Sequence, residues 1–179
     1  MLRRLPIAAC VLALAAPLGL AACGDEEPGI DEPAREGLAI ELGGVDYTVF
    51  ITRELNPDIT PDDAYVTTEA PAGQALYGVF LKACNVSDDE RSTAADFTVH
   101  DNQENTFEPE PLPEDNQFAY TARTLDPKEC IPEAGSVAQL GPTAASMLLF
   151  QFPLENTENR PLELEIEQDG QKRTFELDI

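Results

Sequence analysis

The C-terminal segment PLELEIEQDGQKRTFELDI, residues 161–179, alternates apolar and polar side chains with a period of two. This period places every second side chain on one face of a β-strand, whereas a helix needs a period of about 3.6 residues. Asp169-Gly170 separates the two alternating runs, and Asp-Gly is a dipeptide that two-residue type I′ turns prefer. The segment therefore predicts a β-hairpin with one buried face and one solvated face.

The same reasoning predicts strands along the rest of the chain, separated by turn residues. The two longest apolar runs, 74–86 and 145–153, lack a polar face and are expected to be central strands. One helical turn is expected near residues 116–122, and no long stretch has helical periodicity. Further strands are predicted over residues 38–42, 45–55, 95–101 and 105–110. Seven to eight strands of this kind predict an all-β chain folded as an antiparallel β-sandwich.

Residues 1–22 have the composition of a cleavable export signal. Two arginines precede the uncharged run 5–20, which is shorter than the roughly 20 apolar residues that cross a bilayer. The following LAAC, residues 20–23, resembles the lipobox of bacterial lipoproteins. This resemblance implies cleavage before Cys23 and a lipid anchor on its thiol. The alternative is an ordinary secretory signal with a chance cysteine.

The acidic stretch 23–36 is predicted to be a disordered tether, because its Gly, Pro and carboxylate residues bury too little apolar surface to fold. Residues 37–179 are long enough for one domain with its own core. The chain has 34 acidic residues against 11 basic ones. This imbalance excludes nucleic acid, whose phosphates require Lys and Arg, and it leaves open a basic partner, a cation or mere solubility.

Two cysteines, Cys84 and Cys130, follow the predicted lipidation site. In an oxidising compartment outside the cytoplasm an even pair predicts a disulfide, with two unpaired buried thiols as the alternative. No zinc site is predicted, because two isolated cysteines and the single histidine lack the spacing of zinc ligands.

Three motifs in this order, LYGVFLKACNVSDD, FTVHDNQENTFEP and LLFQFPLENTENRPLELEI, are similar to those of a family of actinobacterial-type lipoproteins. The family carries a small immunoglobulin-like domain of unknown function, and the resemblance covers residues 46–179. It implies an immunoglobulin-like antiparallel β-sandwich of seven to eight strands. It implies no catalytic residue. The turn after Asp101 lacks the glycine of the family pattern.

Motifs for catalysis are absent from the sequence. His100 stands beside Asp101 at a strand end, where an exposed turn histidine is expected, and no serine lies in a G-x-S-x-G elbow. There is no phosphate-binding glycine loop. Paired carboxylates could serve a glycoside hydrolase, but among so many acidic residues some pair always looks suitable. We therefore expect neither enzymatic activity nor a cofactor.

Cation binding is the sharper alternative. Acidic clusters at residues 88–90, 101–105 and 114–116 offer the oxygen ligands that calcium prefers, although none matches an EF-hand loop. Solvated acidic loops are the competing interpretation. The candidate ligands are Asp88, Asp89, Asp101 and Glu104.

Two long segments, 56–73 and 108–132, exceed ordinary connections and are candidates for binding an envelope protein. Their candidate anchors are Tyr65, Phe118 and Tyr120, which could instead fold back and cap the sandwich. Together these features predict an extracytoplasmic lipoprotein, attached to the membrane through Cys23. Its expected role is non-catalytic binding or structural interaction.

Overall fold

The computed structural model describes residues 28–179, which form two facing, mainly antiparallel sheets and a separate pair of two-residue strands. The strands are β1 (Ala34–Arg35), β2 (Ala39–Leu42), β3 (Val45–Leu55), β4 (Gln74–Asn85), β5 (Arg91–Ser92), β6 (Asp96–His100), β7 (Thr106–Phe107), β8 (Thr124–Leu125), β9 (Cys130–Ile131), β10 (Ser146–Pro153), β11 (Leu162–Gln168) and β12 (Gln171–Leu177). Sheet 1 has the order β1-β12-β11-β6-β7, and sheet 2 has the order β10-β4-β3-β2 with β9 paired to the end of β4. The separate pair consists of β5 and β8. The predicted all-β sandwich is confirmed.

The strand count is higher than predicted because five of the twelve described strands, β1, β5, β7, β8 and β9, have two residues each. The seven longer strands match the seven to eight that the sequence predicts. The strand predicted over 105–110 is shortened to β7, whereas the other four two-residue pairings carry too little alternation to be recognised in a sequence.

The C-terminal hairpin forms as predicted. β11 and β12 pair in register from Leu162↔Leu177 to Gln168↔Gln171, and Leu164 lies opposite Phe175 in the core. The turn residues Asp169 and Gly170 have φ angles of 52° and 76°, the left-handed pair that a type I′ turn requires. Local turn chemistry thus sets the register of this hairpin.

Helical structure in the described chain is confined to short segments. They are 3-10 turns at Asp62–Ala64 and Leu154–Glu158 and the helix α1 at Val137–Leu140. The helical turn expected near residues 116–122 is wrong: this stretch lies along β10, and Tyr120 donates its backbone N–H to the Met147 carbonyl (2.9 Å). Among residues 28–179, no helix is both long and apolar enough to span a membrane.

Within sheet 2, β4 and β10 are buried on both faces, which explains their nearly continuous apolar sequences. One face packs on sheet 1 through side chains such as Val79 and Phe150. The opposite face carries Phe80, Met147 and Leu149 in a second core cluster with residues from the long loops. We call this second side the loop-covered face. Two buried faces remove the polar alternation that marks a half-exposed strand.

The prediction that residues 145–153 form a central strand is wrong in position. β10 lies at the end of sheet 2, paired with β4 on one side only. On its other side the loop residues make isolated bridges, Glu110 to Leu149 and Ala119 to Met147. An end strand that packs on sheet 1 with one face and is covered by loops on the other face and along its edge has the same apolar composition as a central strand.

The predicted disulfide is confirmed: Cys84 and Cys130 are bonded and lie directly opposite each other where β9 pairs with β4. Cys130 falls within the long segment 108–132, and it lies in this two-residue strand. The preceding segment is held by the Arg123–Glu129 ion pair and by the Glu129 carbonyl, which accepts the Asn85 N–H (2.9 Å).

The domain begins before the predicted boundary at residue 37. β1 pairs in parallel with β12, with Ala34 opposite Phe175, and Ala34 is buried. The Glu36 carboxylate accepts the backbone N–H groups of Thr52 and Asp178, each at 3.2 Å. The disordered tether predicted for 23–36 is therefore wrong from residue 28 onward, because edge pairing organises a stretch that its composition disfavours. Residues 23–27 lie outside the described residues.

Candidate functional site

The loop-covered face of sheet 2 contains an open groove of about 510 Å³. Residues 64–69 form one wall and residues 110–118 the other, with Leu76 of β4 and Leu149 of β10 between them. A volume of this size is within the range of ligand-binding pockets. We refer to it as the groove, and to residues 108–115 as the acidic strap.

Aromatic packing holds the inner end of the groove together. The Tyr65 ring meets Phe80 at 4.9 Å and Phe118 at 4.7 Å between centroids, both edge to face. Tyr65 is 1% exposed and Phe118 is 8% exposed. Because the two rings come from opposite walls, their contact joins the two loops over the apolar surface of sheet 2.

An ion pair fixes the first wall. The Arg53 guanidinium on β3 pairs with the buried carboxylate of Asp62 and lies 5.6 Å from the centre of the Tyr65 ring. The second Asp62 oxygen accepts the backbone N–H of Asn56 (3.0 Å). Burial alone would raise the pKa of Asp62, but the hydrogen bonds from Arg53 and Asn56 outweigh burial and lower it. Asp62 is therefore an ionised anchor for the loop.

Asn116 connects the two walls directly. Its side-chain amide donates to the Tyr65 carbonyl (2.8 Å), and its side-chain oxygen accepts the backbone N–H of Phe118 (2.9 Å). The acidic strap is held separately, because the Glu110 N–H donates to the Leu149 carbonyl (2.7 Å). The loops therefore have defined contacts with each other and with β10.

The groove has an acidic rim without basic residues. Glu69, Glu110 and Asp115 line it, and all three are exposed. Within residues 28–179 none of the three forms an ion pair. The described lining residues include no His, Cys, Ser, Lys or Arg. The groove thus offers an apolar floor, amide groups and unpaired carboxylates.

The predicted interaction anchors require correction. Tyr65 and Phe118 are buried and support the groove, so they do not project toward a partner. Tyr120 packs against the main core, contacts Phe97 at 5.1 Å, and donates its hydroxyl to the Ala94 carbonyl (2.9 Å). Burial raises the pKa of Tyr120, with the neighbouring Tyr47 adding to it. The three aromatic side chains therefore fold back onto the sandwich and are not exposed anchors for a partner.

Asp101 was a candidate calcium ligand, and the structure gives its carboxylate a different role. It is 6% exposed and accepts five N–H groups, two from the backbone and three from side-chain amides. The donors are the backbone of Gln103 and Asn105 and the side chains of Asn105, Asn156 and Asn159. This donor shell occupies the lone pairs that a cation would need, so Asp101 is a structural anchor.

The other candidate metal ligands do not converge with Asp101. Asp88 and Asp89 are exposed and lie near Lys128 (3.6 Å) and Arg91 (3.8 Å) respectively, while Glu104 is exposed in the turn after Asp101. In the described part of the chain, no three His, Cys, Asp or Glu residues form a group that could hold a metal ion. Calcium binding remains a prediction, and the candidate ligands do not come together in the described residues.

Two residues discussed from the sequence remain, His100 and Cys23. His100 at the end of β6 is partly exposed, with Nε2 4.0 Å from the Glu165 carboxylate across the sheet. Cys23 lies outside the described residues. The sequence does not single out Asp62, which anchors the first wall, or Glu69, which lines the groove, because acidic residues occur throughout the chain; Asn116 belongs to one of the predicted acidic clusters. The unusual length of their loops was the one usable signal.

Neither a protein-family model nor a curated protein matches the chain in sequence. Solved structures do resemble it. The yjhA protein from Bacillus subtilis matches with a TM-score of 0.50 at 12% identity, covering 81% of this chain and 99% of that protein. A conserved hypothetical protein from Bacillus anthracis matches with a TM-score of 0.50 at 9% identity, covering 80% of this chain and 95% of that protein. An uncharacterized β-sandwich protein from Clostridium difficile 630 matches with a TM-score of 0.47 at 15% identity, covering 82% of this chain and 95% of that protein.

The fold and the groove define a class: a disulfide-linked β-sandwich domain with a loop-built groove on one sheet. At these identities the likeness to solved structures concerns the fold alone. The similarity to actinobacterial-type lipoproteins is thereby supported at the level of the sandwich, while lineage and lipidation stay predictions.

Proposed function

We propose that this protein is a membrane-anchored extracytoplasmic lipoprotein whose β-sandwich domain binds a segment of another envelope protein in the groove. The observation that carries the proposal is the groove itself, an apolar trough between two long loops that are joined to each other and to sheet 2. Loops on a rigid scaffold are the usual place for recognition. The described lining residues include no His, Cys, Ser, Lys or Arg, and the apolar floor between the two walls is suited to binding.

The short connection to the predicted anchor also favours an envelope role. Four residues, 24–27, lie between Cys23 and Pro28, where the described residues begin. A fully extended chain covers at most about 3.6 Å per residue, so a lipid on Cys23 would hold the domain within about 20 Å of the membrane. The domain would then meet proteins of that membrane or of the adjoining layer.

Lipid attachment is tested in the intact chain. We expect the mature N-terminal peptide to carry diacylglycerol on Cys23 by mass spectrometry and the protein to sediment with membranes. Cys23→Ala should release it into the soluble fraction, because the acyl chains supply most of the membrane affinity. Conversion of Cys10 to alanine is the matched control and should change neither result. An unmodified Cys23 in a membrane-free protein would contradict the anchor.

Binding through the groove is tested by site-specific photo-crosslinking in living cells. A benzophenone amino acid at Thr68 or Gln117, both exposed groove residues, should give a discrete crosslinked protein. The same group at the exposed Glu90, which does not line the groove, is the control and should not. Equal products at all three positions, or none at any, would contradict groove binding.

A further inference from the structure

The acidic strap is poor in hydrogen-bond donors, and this feature points to the chemistry of an occupant. Pro109, Pro111 and Pro113 have no N–H group. The Glu110 N–H is already donated to the Leu149 carbonyl. Between Pro109 and Pro113 only the Leu112 N–H is uncommitted in the described structure, so this stretch of the wall offers mainly carbonyl and carboxylate acceptors.

Charge gives an independent indication in the same direction. Glu69 on one wall and Glu110 and Asp115 on the other are exposed, and no basic side chain in the described chain pairs with them. Some acids on the sheets do have a cationic partner, as Glu165 and Glu167 have Lys172. Acceptors and negative charge on both walls are complementary to a partner that supplies N–H donors and positive charge.

The shape of the surface favours an elongated occupant. A second cavity of about 460 Å³ adjoins the groove and shares with it residues 110–113, Asn116 and Leu149. Its lining adds the apolar side chains Phe97 and Met147 and another acid, Glu114. An extended peptide can contact both cavities along the strap, whereas a compact amine fills one of them.

We propose that the groove and the adjoining cavity bind an extended peptide segment in which basic and apolar side chains alternate. The apolar side chains enter between the walls, and lysine or arginine side chains reach the carboxylates of Glu69, Glu110 and Asp115. This inference rests on the proposed binding function and adds the chemistry of the partner.

The probe is a fluorescein-labelled peptide of alternating lysine and leucine, titrated with the disulfide-bonded domain and followed by anisotropy. Neutralising the rim in Glu69→Gln/Glu110→Gln/Asp115→Asn should weaken binding about tenfold, because three exposed charge contacts are lost. Glu90→Gln/Glu155→Gln/Asp178→Asn removes the same charge from exposed positions outside the groove and should stay within about twofold of the unmodified protein. Circular dichroism melts verify that both triple variants fold.

Two further peptides separate the contributions. A lysine–serine peptide keeps the charge without apolar side chains, and a glutamate–leucine peptide reverses the charge. Both should bind at least about fivefold more weakly than the lysine–leucine peptide. Equal weakening by the two triple variants would reduce the interaction to general attraction by the acidic domain and overturn the proposal. Equal binding of the glutamate–leucine peptide would also overturn it.

The outcome remains distinct from that of the crosslinking experiment. Crosslinks at Thr68 and Gln117 combined with no lysine–leucine binding would leave groove binding intact and refute the basic partner. Absence of both would refute the proposed function together with this inference.

Discussion

Replacing Cys84 and Cys130 together by alanine is expected to lower the free energy of unfolding by about 4 kcal/mol. The disulfide closes a loop with a sequence separation of 46 residues, and the chain-entropy model assigns a loop of that size roughly this stabilisation. The bond also joins the end of β4 to β9, whose pairing in the described structure consists of two residue pairs. For a domain of this length the midpoint of thermal unfolding should fall by roughly 8–16 °C.

The measurement is thermal unfolding followed by circular dichroism, with a denaturant titration to obtain the free energy. Reduction of the unmodified protein with a thiol provides a matched condition and should give a similar loss without altering any side chain beyond the sulfurs. A loss below about 1 kcal/mol in both cases would mean that the segment 123–131 stays docked through Arg123, Glu129 and Asn85 without the bond.

Replacing Asp101 by alanine is expected to lower the free energy of unfolding by about 3 kcal/mol. Hydrogen bonds to an ionised group contribute about 1.5–3 kcal/mol each and are not additive within one cluster. The Asp101 carboxylate collects five of them from the turn after β6 and from the segment that follows β10. Without it, the three asparagine amides lose their common acceptor and both segments loosen.

Asp101→Asn sharpens this test because it keeps the size of the side chain. One of its oxygens becomes an NH₂ group that faces N–H donors, so most of the stability should still be lost. Asp178→Asn, at an exposed position, is the matched control and should change the stability by less than about 0.5 kcal/mol. A small effect of Asp101→Asn would show that the carboxylate is exchangeable, as a solvated acid would be.

The same residue predicts a pH dependence. Burial alone would raise the pKa of Asp101, but the hydrogen bonds from Asn105, Asn156 and Asn159 outweigh burial and hold the pKa below its ordinary value. A carboxyl with a lower pKa in the folded state stabilises the fold above its unfolded pKa of about 3.9, and this stabilisation disappears as the pH falls below that value. The unmodified protein should therefore lose stability more steeply below about pH 4 than Asp101→Asn, in urea titrations across that range.

Much of the sandwich was predictable because its information is local. The alternation in β11 and β12 and the Asp169-Gly170 turn specify a hairpin whatever surrounds them, and the structure has that hairpin in the expected register. The pairing of Cys84 with Cys130 was predicted from the even number of cysteines after the predicted lipidation site and from the expected export of the chain, and the structure has this bond. Apolar runs marked β4 and β10 as buried strands, and both are buried.

The predictions that failed depend on contacts between distant parts of the chain. An apolar run cannot distinguish a central strand from an edge strand under loops, so β10 was misplaced within its sheet. In a chain with 34 acidic residues, the sequence does not distinguish a buried structural carboxylate from an exposed one. Only the structure separates the buried Asp101, which is enclosed by amide donors, from the unpaired Glu69 and Glu110 at the groove.

The sequence by itself determined the longer strands, their main turn, the all-β class and the disulfide, because side-chain period, turn conformation and cysteine number act over short stretches or as simple counts. The tertiary structure alone decided that two loops meet over sheet 2 and enclose a groove. That meeting rests on Asn116 reaching the Tyr65 carbonyl and on Tyr65 packing against Phe118, contacts that span about fifty residues of chain. No local pattern encodes such contacts, since they form only once burial of the sheet has brought the loops together.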